Sequence, residues 1–212
     1  EALKAAECLY RDAGDADVII DALGLRSRMS QMVDKLSGGW QRRLDIAIAC
    51  IGSPRLLVLD EPTSGLAPVA RTALWEFLRD RRSKGVAVLT STHDLAEAET
   101  YADRLLVLDE GRAILRGPVS EVLSAAGGDH RLRVLSGDPG CLSAIRAQGH
   151  TPLEAGSAIS VIGDSGGLTV LREKLERLRD AGEVKFSDVL LGSVRLEDVF
   201  AFAAAGRKKE TT

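Results

Sequence analysis

Four apolar residues, Leu56 to Leu59, follow Pro54-Arg55 without a break and end on two adjacent acids, Asp60 and Glu61. A run this short and this apolar fits a central parallel strand buried on both faces. A second such run, "VAVLTST" at 86–92, ends at His93. Between the two, a helical pattern starts at Pro68, turns Ala73, Leu74, Phe77 and Leu78 inward, and closes near Lys84-Gly85. Strand, helix and strand in this order constrain the chain to an α/β layer with a parallel sheet. Ligands of open sheets gather at the carboxyl ends of the strands, which makes Asp60, Glu61 and His93 candidates for one functional rim.

Residues 1–52 read as helical. "EALKAAECLYRDAG" carries Leu3, Ala6 and Tyr10 at helical spacing and stops at Gly14; Asp15 can cap a second helix, "ADVIIDALGL", that Gly24 ends. Ser37 opens a third helix, with Leu44, Ala47, Ile48 and Ile51 on one buried stripe. Beyond the second strand come a helix "DLAEAETYA" capped by Asp94, a hairpin "RLLVLDEGRAILRG" turning at Glu110-Gly111, and a short helix started by Pro118. Gly127-Gly128 marks a boundary. After it the pattern gives strands near Leu132–Leu135, Ala158–Ile162 and Val184–Leu191, helices near Leu142–Gln148 and Leu168–Ala181, and a terminal helix holding "RLEDVFAFAA". The expected division is a helical part, 1–52, an α/β part, 53–127, a small α/β domain, 128–205, and a solvated tail, 206–212.

Composition narrows the function classes. In 212 residues, 45% are hydrophobic, enough for a real core, and Lys+Arg 28 against Asp+Glu 31 leaves a net charge of -3. That balance argues against a nucleic-acid partner held by bulk positive potential. Cys8, Cys50 and Cys141 are far apart and form no CxxC pair, which speaks against a zinc site or a disulfide framework and for a reducing compartment. No apolar run approaches the roughly 18 residues of a membrane span.

The chemistry concentrates in three places. In "LSGG", Ser37, Gly38 and Gly39 precede a helix, so backbone N–H groups and the helix dipole favour an anion such as a terminal phosphate. By itself the string favours the plainer reading, an N-cap followed by a flexible turn. In "LLVLDEP", paired acids after a buried strand need a cation, a water or solvent. Alternate strand side chains diverge, so Asp60 is expected to hold magnesium, directly or through water, and Glu61 to orient and activate an attacking water. His93, if the two strands are neighbours, shares that rim and can reach a phosphate and the water. His130 and His150 have no such context and read as surface residues.

The order of these motifs resembles the nucleotide-binding subunit of ATP-binding cassette (ABC) transporters, from about Leu3 to Leu123. "LSGGWQRRL" is similar to the family signature, "LLVLDEP" to Walker B, "SGLAP" to the D-loop and "THD" to the switch-histidine loop. The closing "RLEDVF" is similar to the carboxyl-terminal extension of bacterial exporter ATPases of the drug- and antibiotic-resistance type. The resemblance implies a P-loop NTPase core of ABC type with a helical subdomain, binding ATP and Mg2+. It implies ATP hydrolysis coupled to export through a separate membrane subunit, on the inner, cytoplasmic face of the cell membrane. Two such subunits stack head to tail, as a homo- or heterodimer. Ser37, Gly38, Gly39, Trp40 and Gln41 then serve the partner's ATP, with Ser64 and Gly65 in the D-loop. Asp60, Glu61 and His93 serve the chain's own nucleotide. The surface meeting the membrane subunit is expected in 1–52.

Several positions depart from the pattern. No G-x-x-x-x-G-K-[ST] is present, nor a glutamine loop; "GDPGCLSA" and "GSVRLEDV" lack the lysine and spacing. An amino-terminal truncation accounts for this, and the 212 residues alone are expected to bind ATP poorly and hydrolyse it negligibly. The alternative is a catalytically silent docking module that offers its signature to a partner ATPase. A DNA-repair type of ABC ATPase would show long heptads or zinc cysteines, which the sequence lacks. Ala67 stands where the D-loop usually has Asp, and Trp40-Gln41 replaces an immediate glutamine.

Overall fold

The computed structural model describes residues 2–10 and 16–210, so the expected caps at Gly14 and Asp15 lie outside the described residues. The chain packs as two compact units, 1–94 and 95–212. In the first unit, α1 (Ala2–Glu7) and α2 (Ala16–Ala22) pack on α3 (Gly38–Ile51), with two short 3-10 turns, Leu25–Arg28 and Val33–Lys35, before it. Gly24 ends the α2 region at φ 68, a left-handed conformation that glycine adopts without a Cβ penalty. On α3, Leu44, Ala47 and Ile51 are buried as the stripe requires, joined by Ile46 and Cys50, while Ile48 is half-buried.

Next come β1 (Leu56–Asp60), α4 (Pro68–Ser83) and β2 (Ala87–Ser91). The two strands pair in parallel, with Val58 opposite Leu89 and Asp60 opposite Ser91. Pro68 sits at the first position of α4, where its missing N–H costs nothing, and Leu74, Trp75, Phe77 and Leu78 are buried. The expectation of strands buried on both faces is corrected here. Leu57 and Leu59 are buried, but Leu56, Val58 and Leu89 are 54%, 66% and 61% exposed. Leu56, Val58, Ala87 and Leu89 share one face, and no element among the described residues covers it.

The second unit begins with α5 (Leu95–Tyr101) and an antiparallel hairpin, β3 (Arg104–Asp109) and β4 (Arg112–Pro118), followed by α6 (Val119–Ser124). The hairpin turns at Glu110 (φ 47) and Gly111 (φ 74), two consecutive left-handed residues that match the twist of the flanking strands. Then β5 (His130–Leu135), α7 (Pro139–Ala147), β6 (Leu153–Ala155), β7 (Ala158–Gly163), α8 (Ser165–Asp180) and β8 (Asp188–Ser193) form a sheet in the order β6-β7-β5-β8, with every neighbour antiparallel. This β-α-β-β-α-β succession is the ferredoxin-like arrangement.

Its core is apolar: Leu132, Val134, Cys141, Ile145, Val161, Leu168 and Leu175 are fully buried. Asp138 caps α7 through the Cys141 N–H at 3.2 Å, and Asp164 caps α8 through the Gly167 N–H at 2.8 Å. The last helix, α9 (Leu196–Glu210), continues through most of the expected tail, whose Lys and Glu residues are good helix formers. Two carboxylates fix its start. Asp198 accepts from the Arg195 N–H at 2.9 Å and from Arg131 at 2.8 Å, and Glu99 of α5 accepts from the Leu196 N–H at 2.7 Å. His130 and His150, expected on the surface, are half-buried.

Candidate functional site

The parallel register of β1 and β2 brings the two strand ends together. Ser91 Oγ donates to the Asp60 carboxylate and accepts from the Glu61 N–H at 3.0 Å, so one hydroxyl fixes both acidic residues. Glu61 leaves the strand at φ 48, a left-handed conformation in a non-glycine residue that costs about 1–3 kcal/mol. That reversal takes its side chain off the strand's alternation and toward His93. The His93 Nδ1 lies 2.8 Å from Glu61 Oε1 and 2.6 Å from Oε2. The hydrogen bond to Glu61 and its negative charge raise the His93 pKa above the ordinary value, with Asp94 adding to the rise and Arg71 and desolvation opposing it. With Nδ1 engaged, Nε2 is the nitrogen left for a ligand.

The loop after the acids is held from within. The Ser64 N–H donates to Glu61 O at 3.1 Å, the Leu66 N–H to Thr63 O at 3.1 Å, and Gly65 takes the left-handed position at φ 72. Arg71 of α4 donates to Leu66 O at 3.1 Å and pairs with Asp94 at 3.5 Å, and the Asp94 N–H donates to Thr92 Oγ1 at 3.0 Å. The turn after His93 and the loop after Glu61 are thus tied through one arginine.

Ser37 is exposed and is the N-cap residue of α3, yet its side chain makes no capping bond. The helix starts instead on its carbonyl, which accepts from the Trp40 and Gln41 N–H groups, each at 2.9 Å. The Ser37 hydroxyl and the first N–H groups of α3 therefore remain available to a ligand. A cleft of about 750 Å³ is lined by Ser37, Gly38, Gly39 and Trp40 on one side, Asp60 and Glu61 on another, and Ser64 to Ala67 on a third. The expectation set the Ser37 turn apart from the acids; the two share the walls of this one cleft. Gln41 does not line it: its amide Nε2 donates to Val33 O at 3.1 Å. Trp40 lies beneath Arg43, 3.8 Å from ring centroid to guanidinium carbon, with Arg28 at 5.2 Å.

Two residues of this site escape a reading of the sequence. Ser91 is separated from Asp60 by 31 positions, and Arg42, which donates through Nη2 to the backbone carbonyls of Asp60 and, at 3.2 Å, Glu61, by 18 from Asp60. Only the hydroxyl at a strand end and the extra arginine after "SGG" mark them.

A helical signature turn, a parallel strand ending in paired acids and a histidine at the next strand's end define part of an ABC-type ATP-binding domain. The family model described as ABC transporter matches residues 3–64. Among its relatives, "Nod factor export ATP-binding protein I" of Rhizobium etli (strain ATCC 51251 / DSM 11541 / JCM 21823 / NBRC 15573 / CFN 42) is 40% identical over 121 residues, covering 57% of this chain and 38% of that protein. The protein of the same name from Burkholderia orbicola (strain AU 1054) is 39% identical over 124 residues, 58% of this chain and 41% of that one. The chain thus spans about two fifths of the length of the curated relatives it matches. A solved structure titled "Structure of ATP binding subunit of ABC transporter" superposes with a TM-score of 0.52 at 30% identity, covering 58% of this chain and 53% of that one. No helix among the described residues is long and apolar enough to cross a membrane.

Proposed function

We propose that the chain serves an ATP-binding and ATP-hydrolysing subunit of a transporter, coupling hydrolysis to export through a separate membrane subunit. The observation that carries this reading is the Glu61–His93 pair at 2.6–2.8 Å, at the carboxyl end of a parallel strand pair, beside an Asp60 carboxylate fixed by Ser91. Glu61 holds the attacking water and takes its proton, and His93 orients the Glu61 carboxylate and offers Nε2 to a phosphate oxygen.

The residues present fit one side of a magnesium–nucleotide. Among the described residues no group of three or more His, Cys, Asp or Glu could hold a metal ion by itself. Mg2+ suits such a site, because it keeps several waters and binds through one or two carboxylates plus substrate phosphates. Asp60 is the carboxylate for it, directly or through water. When bound, the ion neutralises charge on the phosphates. The Ser37–Gly39 turn, with Trp40 at its edge, receives a terminal phosphate of a second ATP-binding subunit stacked head to tail, and Ser64-Gly65 borders it. Gln41, whose amide is turned to Val33 O, takes part in this site only by moving away from that bond.

Relatives named for Nod factor export support the export direction. On this reading the subunit lies on the inner face of the cell membrane, with 1–52 as the helical signature part that meets the membrane subunit. Residues 53–127 then form the Walker B and switch-histidine part, and 128–205 a small accessory domain. The test is ATP turnover by the intact subunit. Glu61→Gln is expected to lower it about 10²- to 10⁴-fold, the scale of losing a general base. An unchanged rate would remove Glu61 from the role.

A further inference from the structure

The phosphate-facing turn and the acidic strand end touch at two places within the first unit. A Cβ added at Gly39 would meet Leu66 Cδ2 at 3.2 Å and Gly65 O at 3.6 Å, so the turn rests on the loop that follows Glu61. One helical turn further on, Arg42 reaches the carbonyls of Asp60 and Glu61. These carbonyls belong to the peptides on either side of the left-handed Glu61, whose own N–H is spent on Ser91. A backbone held in an unfavourable conformation persists only where its surroundings over-determine it, and Arg42 supplies part of that constraint. A guanidinium suits the task, because its planar fork can serve two acceptors at once, where a lysine ammonium is a point charge on a flexible stem.

We propose that Arg42 is a positioning residue that couples the Ser37–Gly39 turn to the Glu61 backbone, so that an anion seated at the turn shifts the catalytic carboxylate. The proposal rests on the reading of the site given above, for which Glu61 is the base. It extends that reading by making one rigid piece of two motifs that would face different nucleotides in a head-to-tail pair. Movement of α3 on contact with a neighbour's phosphate would be conveyed to the Glu61 backbone through Arg42, beside the Gly39 contact with the following loop.

Amide hydrogen exchange on the 212-residue chain, without nucleotide, tests the coupling apart from any hydrolysis. Arg42→Ala is expected to speed exchange about tenfold or more at the Ser64 N–H, which is bonded to Glu61 O, and at the Glu61 N–H, while core amides of α3 and α4 keep their protection. Arg42→Lys, which keeps a donor, is expected to restore part of that protection. Ser91→Ala serves as the control: it frees the Glu61 N–H but leaves the Ser64 N–H protected. Unchanged exchange at Ser64 in Arg42→Ala would overturn the proposal, as would a uniform rise across the unit that Arg42→Lys does not reverse. Either failure leaves the assignment of Glu61 as base standing, since that is read from turnover of Glu61→Gln.

Discussion

The β1–β2 pair and the β5–β8 sheet are built from similar residues and finished to different degrees. In the carboxyl-terminal sheet, Leu132, Val134 and Val161 are wholly buried beneath α7 and α8, and each helix starts on an aspartate cap. In the parallel pair, Leu56, Val58 and Leu89 stand more than half exposed on one face. Parallel strands are ordinarily covered on both faces, and in this pair one face is open. The contrast separates two kinds of residue. The fully buried apolar side chains gather beneath the helices of the carboxyl-terminal sheet, whereas the left-handed Glu61, the perturbed His93 and the paired acids sit at the end of the open pair.

That separation can be broken by substitution. Leu132→Ala should cost about 2–5 kcal/mol in the unfolding of the second unit, as for a fully buried leucine, and leave the histidine spectrum of the first unit unchanged. A denaturation midpoint and an NMR spectrum of the same sample check both halves. Asp198→Ala removes the partner of Arg131 and the acceptor for the Arg195 N–H, and a loss of about 1–3 kcal/mol is expected by the same midpoint measurement.

At the open end the expected effect is smaller and depends on pH. With only His93, His130 and His150 in the chain, imidazole resonances can be followed individually. His93 should titrate above the ordinary value of about 6.5, and Glu61→Gln should bring it back toward that value. Because the folded-state pKa is the raised one, the pair's stabilisation is fully present below the unfolded value and is lost as pH rises through the folded value. Titration of His93 at or below its ordinary value would mean that the carboxylate does not face it. The smallest effect is expected at Val58→Thr on the open face, within about 0.5 kcal/mol, since little burial is lost there. A cost approaching that of Leu132→Ala would show that the face is covered and erase the contrast.

Local signals in the sequence were sufficient for most elements. The apolar stripe of α3, the proline that starts α4 and the Glu110-Gly111 turn each act within a few residues, and each element forms where its signal lies. The three-residue β6 carries too little pattern to read. The one-sided burial of β1 and β2 is not legible in the sequence, because an unbroken apolar run has the same appearance whether one face or two are covered. At the site, Asp60, Glu61 and His93 stood out as polar residues ending apolar strands. Ser91 and Arg42 did not, because their partners are far away along the chain, and a serine or an arginine next to a motif carries no sign of what it bonds. The placement of Ser37 within the same cleft as the acids likewise depends on how α3 packs, which no spacing encodes.

The central claim is that Glu61 and His93 act as one unit. A double-mutant cycle on ATP turnover of the intact subunit, with Glu61→Gln, His93→Ala and the pair combined, measures that most directly. The account predicts that the double variant is about as slow as the slower single variant. Losses that multiply independently would contradict it.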